Sequence, residues 1–235
     1  MTSSLSRGAE WYFQCAVLVI GVVGTATNGL VLYALVASKQ HKKHVLIVNQ
    51  NALDLFSSFM MVVTYSLQLF NIRLTGSVGY WLCTVLLSEN FFWCGTIGSV
   101  INLASIAVER YLKVVHAVWK NLRDWMIYLA VAFSWIAGHI YNVAVTFATT
   151  AVIDGACYPY AIWKSETARK IHLVWHSVSF YVIILFVFVF CYWRILIVIR
   201  RQESVMAGHA AAGPSTAQTQ CNQMQSNVIL SLIHI

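Results

Sequence analysis

The stretch SVINLASIAVERY, residues Ser99–Tyr111, changes character at its end. Small, apolar and uncharged residues lead up to a carboxylate, a guanidinium and a phenol in succession at Glu109, Arg110 and Tyr111. Charged side chains cost roughly 3 kcal/mol each at the centre of a bilayer on insertion scales, and they are tolerated at its edge. The stretch therefore predicts a membrane-spanning helix that ends near Glu109.

The composition of the whole chain supports a membrane protein. Hydrophobic residues make up 59% of the 235 residues and charged residues only 10%, with a mean hydropathy of +0.69. A soluble domain carries about 25% charged residues, so much of this chain's surface must face lipid. The net charge of +7 is not concentrated in a basic run interleaved with aromatic residues, which argues against nucleic-acid binding.

Five apolar segments are each long enough to cross a bilayer as a helix, which takes roughly 20 residues. No segment alternates apolar and polar residues as a transmembrane β-strand does, and both prolines of the chain lie outside them. The sequence shows no internal repeat and no break within a segment. We therefore predict an all-α membrane protein with spans at residues 11–37, 45–70, 80–108, 125–152 and 171–199.

The basic residues indicate how these spans are oriented. With the amino terminus outside, ten of the 15 lysines and arginines fall on the inner side and five on the outer side, and basic residues favour the cytoplasmic side. Residues 1–10 are then an extracellular tail. The inner residues are Lys39, Lys42, Lys43, Arg110, Lys113, Lys120, Arg123, Arg194, Arg200 and Arg201, and the outer ones are Arg7, Arg73, Lys164, Arg169 and Lys170.

Two of the six cysteines, Cys83 and Cys157, fall on the outer side in this topology. The outer side is an oxidising compartment in which disulfides are favoured, so we predict a bond between them; two free thiols are the alternative. Cys15, Cys94 and Cys191 fall inside spans, where a free cysteine behaves as a small apolar residue.

The carboxyl-terminal part differs in composition from the spans. Residues 202–229 are rich in Ala, Gly, Ser, Thr and Gln, and because such a segment buries too little apolar surface to fold alone, we predict a flexible cytoplasmic loop. The last residues, LSLIHI at 230–235, correspond to the reading frame CTG TCT CTT ATA CAC ATC, which resembles a sequencing adapter. We interpret them as an adapter-derived artefact on a truncated transcript, with a natural short terminus as the alternative.

Several motifs, taken in order, resemble one receptor family. Glu109–Tyr111 resembles the D/E-R-Y triplet of rhodopsin-like (class A) G-protein-coupled receptors. Asn28 in TNGLV and Asp54 in NALDL resemble the polar residues of that family's first and second helices. Trp135 is similar to the fourth-helix tryptophan, and Cys191–Tyr192 to the inner end of the fifth helix.

The resemblance covers residues 11–201 and implies the first five helices of a seven-helix receptor bundle, truncated after the fifth. It implies that Glu109 holds Arg110 in a resting ion pair. Activation would free Arg110 to reach a heterotrimeric G protein, with Tyr111 in the same triplet and Tyr192 approaching from helix five. Anchoring of a helix end at the interface is the alternative role for this pair.

The resemblance also implies a cation site. Asn28, Asp54 and Ser99 resemble the residues that surround a sodium ion in this family, where bound sodium favours the resting state. The seventh-helix partners of that site are not in this sequence. A buried, hydrogen-bonded structural role for Asp54 is the alternative, and no other cofactor is expected.

The implied ligand pocket opens outward between helices three, four and five. Its candidate residues are Phe92, Trp93, Thr96 and Glu89, and packing is the alternative role for the aromatic ones. Amine receptors of the family carry an Asp at the position of Phe92, which lies 18 residues before Arg110. A peptide or lipid ligand is therefore expected in preference to an amine.

Three features depart from the family or point elsewhere. Cys83 lies 27 residues before Arg110, about two more than the family's usual spacing. No proline interrupts helices four and five, which the family commonly kinks at proline. His172 and His176 share a helix face, but two ligands make a poor zinc site, so no metal site is predicted.

We therefore expect a plasma-membrane receptor, surrounded by lipid, that transmits an extracellular signal to heterotrimeric G proteins. No HExxH, GxSxG or paired-carboxylate arrangement points to an enzyme. The alternative is a fragment of a transporter or channel with Asp54 and Glu89 on an ion path. Transporters often show repeats and broken helices, and neither is evident in this sequence.

Overall fold

The computed structural model describes residues 2–70, 72–115 and 124–210, and this part of the chain is almost entirely helical. Five helical stretches in it are long and apolar enough to span a membrane, which confirms the predicted fold class. The helices are α1 (Thr2–Ala37), α2 (Val45–Leu69), α3 (Gly76–Leu82), α4 (Asn90–Val115), α5 (Asp124–Thr149), α6 (Glu166–Ser177) and α7 (Ile183–Ala210). Helices α3 and α4 belong to the third span, and α6 and α7 to the fifth.

The third span differs from the continuous helix predicted over residues 80–108. It widens into a π-helical turn at Cys83–Leu87 and is interrupted at Ser88 and Glu89 before α4 begins. Glu89 has a φ of 59°, a left-handed conformation that is uncommon for residues other than glycine. A π turn holds more residues than an α turn, so the turn and the break accommodate the long spacing between the cysteine and the triplet.

The fifth span also contains a π-helical turn, at Val178–Val182 between α6 and α7. The fifth span begins at Glu166, earlier than the predicted residue 171. The Ser165 hydroxyl accepts a hydrogen bond from the Ala168 amide at 3.1 Å and so caps α6 at this earlier position. Turns of this kind bend helices without proline. The fifth span therefore contains an irregular turn, although it lacks the proline at which the family commonly kinks this helix.

Both ends of the described chain are more helical than predicted. Residues 2–10, expected as a tail, belong to α1, because extending a helix costs little once it has formed. Residues 202–210, expected in a flexible loop, continue α7, because Gln, Glu, Met and Ala favour helix. Residues 211–235, with the rest of the predicted loop and the six terminal residues, lie outside the described residues.

Small residues set the packing between α4 and its neighbour. Helix α2 packs against α1 and α4, and α4 packs against α5 and α7. A Cβ on Gly98 would lie 2.8 Å from the carbonyl oxygen of Ser134, and one on Gly138 would meet the carbonyl oxygen of Cys94 more closely still. The backbones of α4 and α5 are therefore in direct contact, which small residues allow between membrane helices.

The interior of the bundle is more polar than its surface. Asn102 and Ser134 are fully buried, whereas Leu30 and Phe186 are 67% and 70% exposed. This inversion suits helices in lipid, where apolar side chains can face hydrocarbon and polar side chains hydrogen-bond between helices.

A β-hairpin covers one end of the bundle. Strands β1 (Ala151–Ile153) and β2 (Ala156–Tyr158) pair antiparallel, and the turn residues Asp154 and Gly155 both have positive φ, as a two-residue hairpin loop requires. Cys157 on β2 forms the predicted disulfide with Cys83, with sulfur atoms 1.99 Å apart. We call this end of the bundle the disulfide end and the opposite end, with Glu109–Tyr111, the triplet end.

Candidate functional site

At the triplet end, the expected ion pair between Glu109 and Arg110 is not formed. The Glu109 carboxylate instead accepts a hydrogen bond from Lys113 Nζ at 2.6 Å. Residues four apart lie on one face of a helix, whereas consecutive residues point in different directions. Lys113 therefore lies closer to the carboxylate than Arg110 can.

The fifth span contacts the triplet at Tyr111, and it does so through Phe190 rather than through Tyr192. The ring of Tyr111 lies 5.8 Å from that of Phe190 on α7. Tyr192 is 40% exposed and stacks on Phe188 at 6.2 Å. In the part of the chain that the structure describes, no hydrogen bond joins Tyr192 to Arg110.

Asp54 is the end point of a hydrogen-bonded group in the bundle interior. Its Oδ1 accepts from the Ser99 hydroxyl at 2.6 Å, and its Oδ2 accepts from Gln50 Nε2 at 3.0 Å. The same Gln50 nitrogen also donates to Ser99 Oγ. Asp54 and Ser99 therefore bind each other directly, and Gln50, which the sequence did not single out, donates to both.

Three further side chains extend this group toward α5. Asn102 Nδ2 donates to Gln50 Oε1 at 2.9 Å, and Asn49 Nδ2 donates to Asn102 Oδ1 at 2.8 Å. Trp135 Nε1 in turn donates to Asn49 Oδ1 at 2.8 Å. We call Trp135, Asn49, Asn102, Gln50, Ser99 and Asp54 the polar chain; it joins α2, α4 and α5.

Asn28 is not part of the polar chain. Its Nδ2 donates to the Gly24 carbonyl oxygen of its own helix at 2.9 Å. Asp54 and Ser99 line a cleft of about 190 Å³ between α1, α2 and α4, so space for a small ion exists beside them. The donor set does not fit a sodium ion, however, since the oxygens of Asp54 and Ser99 already accept the Gln50 amide hydrogens.

At the disulfide end, Glu89 lies beside two tyrosines. Its Oε1 accepts a hydrogen bond from the Tyr65 hydroxyl at 2.7 Å. Tyr160 belongs to the loop after the hairpin, and its phenol is half-buried near Thr146. Burial, and next the negative charge of Glu89, raise the pKa of Tyr160, although the hydrogen bond with Thr146 acts in the opposite direction.

The other predicted pocket residues have neighbours of two kinds. The Trp93 ring lies 6.0 Å from His176 on α6 and 5.2 Å from Phe92. The Thr96 hydroxyl lies 2.9 Å from that of Ser57 on α2 and belongs to the same cleft as Asp54. Trp93 and Glu89 therefore face the disulfide end, whereas Phe92 and Thr96 reach the cleft deeper in the bundle.

His172 and His176 are ring neighbours at 6.2 Å, and the Trp163 ring lies tilted against His172 at 5.1 Å. Within residues 2–70, 72–115 and 124–210, no group of three or more His, Cys, Asp or Glu side chains has the arrangement of a metal site. Five residues of these sites do not stand out in the sequence: Tyr65, Tyr160, Gln50, Asn49 and Asn102.

Comparisons with known proteins agree on the family. The model of the 7 transmembrane receptor (rhodopsin family) matches residues 27–234. C-C chemokine receptor type 8 of Mus musculus is 26% identical over 204 residues, which cover 82% of this chain and 55% of the mouse receptor. Its Homo sapiens counterpart is 27% identical over 206 residues, covering 82% and 54%.

The fold comparison points the same way. The crystal structure of squid rhodopsin superposes with a TM-score of 0.66 at 18% identity, covering 96% of this chain and 67% of the squid chain. The chain spans about half the length of the curated relatives it matches. The family match extends over most of the chain, and the fold is that of rhodopsin. The chain thus belongs to the rhodopsin family of seven-transmembrane receptors, and it is a multi-pass membrane protein.

Proposed function

We propose that this receptor recognises an extracellular peptide or small protein at the disulfide end and activates a heterotrimeric G protein at the triplet end. The observation that carries the proposal is the placement of both candidate sites on α4. Glu89 immediately precedes the helix and Arg110 lies near its other end, roughly 30 Å away at 1.5 Å per residue. A shift of this one helix can act on both sites.

The charge distribution supports an orientation with the disulfide end outside the cell and the protein in the plasma membrane. The loop at residues 38–44 is strongly basic, the triplet contains Arg110, and Lys113 follows two residues after it. Basic residues favour the cytoplasmic side. A disulfide between Cys83 and Cys157 also suits the oxidising exterior.

The chemistry around Glu89 supports a ligand with a basic group. Among the described residues, Glu89 forms no ion pair, and its hydrogen-bond partner is the neutral hydroxyl of Tyr65. An unpaired carboxylate is stabilised by a cationic partner that comes within about 4–6 Å. The relatives are named C-C chemokine receptors, which supports a peptide or protein ligand; a lipid is the second candidate, because Phe92 and Trp93 offer apolar surface.

Arg110 is our proposed contact for the G protein. Its guanidinium is not held by Glu109, which pairs with Lys113, and arginine presents five donors in a rigid fork. Ligand binding shifts the receptor toward the coupled state only if the ligand binds that state more tightly.

The experiment uses a clone that carries all seven spans of the family, expressed in cell membranes and exposed to a panel of C-C chemokines. Binding of radiolabelled GTPγS to the G protein is measured for the wild type and for Arg110→Ala. We expect the variant to lose about tenfold or more of stimulated exchange, because hydrogen bonds to charged groups contribute roughly 1.5–3 kcal/mol, while chemokine affinity is unchanged.

Arg73→Ala is the matched control, since Arg73 is an exposed arginine near the disulfide end. Unaltered exchange in Arg110→Ala would contradict the coupling role. Activation by lysophospholipids and by no member of the chemokine panel would replace the peptide with the lipid alternative.

A further inference from the structure

We propose that the side-chain amide of Gln50 takes the place of the sodium ion expected beside Asp54, so that the polar core of this receptor is assembled without sodium. The inference concerns the polar chain alone and does not depend on the ligand or the G protein. It is carried by the direction of the hydrogen bonds, their distances and the position of one nitrogen atom.

Trp135 sets the direction of every amide in the polar chain. An indole N–H can only donate, so the Asn49 atom that faces Trp135 must be its oxygen. The Asn49 nitrogen is then directed at Asn102 Oδ1. The two oxygens of these asparagines are thereby occupied, and their nitrogens become the donors for the next residue.

The orientation of the Gln50 amide follows from that of Asn102. Asn102 Nδ2 donates to the Leu46 carbonyl oxygen, which can only accept, and to Gln50 Oε1. Both bonds agree with the orientation that Trp135 requires. The remaining end of Gln50, its NH₂ group, therefore faces Asp54 and Ser99 with two hydrogens to donate.

The position of Gln50 Nε2 is the decisive observation. It lies 3.0 Å from Asp54 Oδ2 and within hydrogen-bonding distance of Ser99 Oγ. An ion that bridges these two oxygens on the side that faces Gln50 would have to occupy the same place. The amide brings a fixed positive end of a dipole to the carboxylate, as a cation would, and its hydrogens repel a cation that approaches the same oxygens.

Lack of space does not explain why sodium would be excluded from Asp54 and Ser99. Asp54 and Ser99 border the 190 Å³ cleft between α1, α2 and α4, so a hydrated site for a small ion is accessible beside the carboxylate. The Ser99 hydroxyl has already turned its proton toward Asp54 Oδ1 at 2.6 Å. The oxygens that would coordinate sodium are therefore engaged by hydrogen bonds within the protein.

The test measures the thermal stability, in lipid nanodiscs, of a clone that carries all seven spans of the family. Melting temperatures are compared in about 150 mM sodium chloride and in the same concentration of N-methylglucamine chloride, at roughly physiological ionic strength. We expect the same melting temperature for the wild type in both salts. Gln50→Met, which removes the donors with little change in side-chain length, should gain a sodium-dependent rise of roughly 3–6 °C.

Two further variants make the outcome specific. Gln50→Met combined with Asp54→Asn should lose the sodium response, because the charged oxygens are then absent. Gln68→Met is the matched control, since Gln68 lies on the same helix outside the polar chain, and it should behave as the wild type. Gln50→Leu serves if the methionine variant does not fold.

Two results would overturn the proposal. One is a wild-type protein whose melting temperature rises with sodium, or whose sodium-23 NMR signal shows bound ion that excess lithium displaces. The other is a set of folded Gln50 variants that remain insensitive to sodium, because Gln50 would then not be the group that replaces the ion.

Discussion

Glu89 combines two unusual features at the scale of a single residue. Its backbone is left-handed, with a φ of 59°, a conformation that costs a non-glycine residue about 1–2 kcal/mol. Its carboxylate accepts one hydrogen bond, from the Tyr65 hydroxyl at 2.7 Å. A strained backbone that holds a carboxylate near the disulfide end is consistent with a binding role.

The Glu89→Gln variant tests that role. Glutamine keeps an oxygen that can accept from Tyr65 but removes the charge, so we expect the affinity for an activating basic chemokine to fall about tenfold or more, as for the loss of a charge-assisted hydrogen bond. The fall is measured by competition binding on intact cells. Tyr65→Phe should weaken binding less, since it leaves the carboxylate in place. An unchanged affinity in Glu89→Gln would show that Glu89 does not contact the ligand.

At this scale, the sequence pointed to the charged residues and missed their neutral partners. Asp54, Glu89 and Glu109 stand out because charge is rare in an apolar segment. Gln50 and Tyr65 do not, because which neutral side chain reaches a carboxylate depends on how helices pack against each other. The pairing of Glu109 with Lys113 was predictable from their spacing of four residues.

At the scale of elements, the contact between α4 and α5 tolerates no added side-chain volume. Gly138→Ala would place its Cβ against the Cys94 carbonyl oxygen, a backbone atom that cannot move without shifting the helix. We expect a loss of about 1–3 kcal/mol of stability, seen as a melting temperature lower by several degrees in nanodiscs.

Gly8→Ala is the control for this prediction. A Cβ on Gly8 would meet nothing within 4 Å, and alanine favours helix over glycine, so this variant should be neutral or slightly more stable. Equal melting temperatures for Gly138→Ala and the wild type would show that α4 and α5 can separate without loss.

The helices themselves were predictable and their irregularities were not. Long apolar segments require helices in a bilayer, since every backbone group must find a partner within the segment. The π turns at Cys83–Leu87 and Val178–Val182 depend on how neighbouring helices and the hairpin fit together. The one clue in the sequence was the cysteine-to-triplet spacing, which exceeded the family's by about two residues.

At the scale of the whole molecule, the disulfide joins elements that are distant in the chain. It links residues separated by 74 positions and ties the hairpin to the third span over a small apolar cluster that includes Leu74 and Leu87. The Leu74 amide also donates a hydrogen bond of 3.0 Å to the carbonyl oxygen of Gly155 in the hairpin turn. Because an oxidising compartment favours disulfides, the bond supports the proposed orientation with the disulfide end outside.

Thiol labelling therefore tests the orientation on which the proposed function depends. Cys221, the cysteine of the predicted cytoplasmic loop, is first replaced by serine. Intact cells are then treated with a membrane-impermeant phosphine and next with a maleimide that cannot cross the membrane. We expect Cys157 to be labelled after reduction and not before it, because the disulfide end is outside, and the Cys157→Ser variant shows which signal belongs to that residue. Labelling that requires permeabilised cells would place the disulfide end in the cytosol and Arg110 outside, where no G protein could reach it.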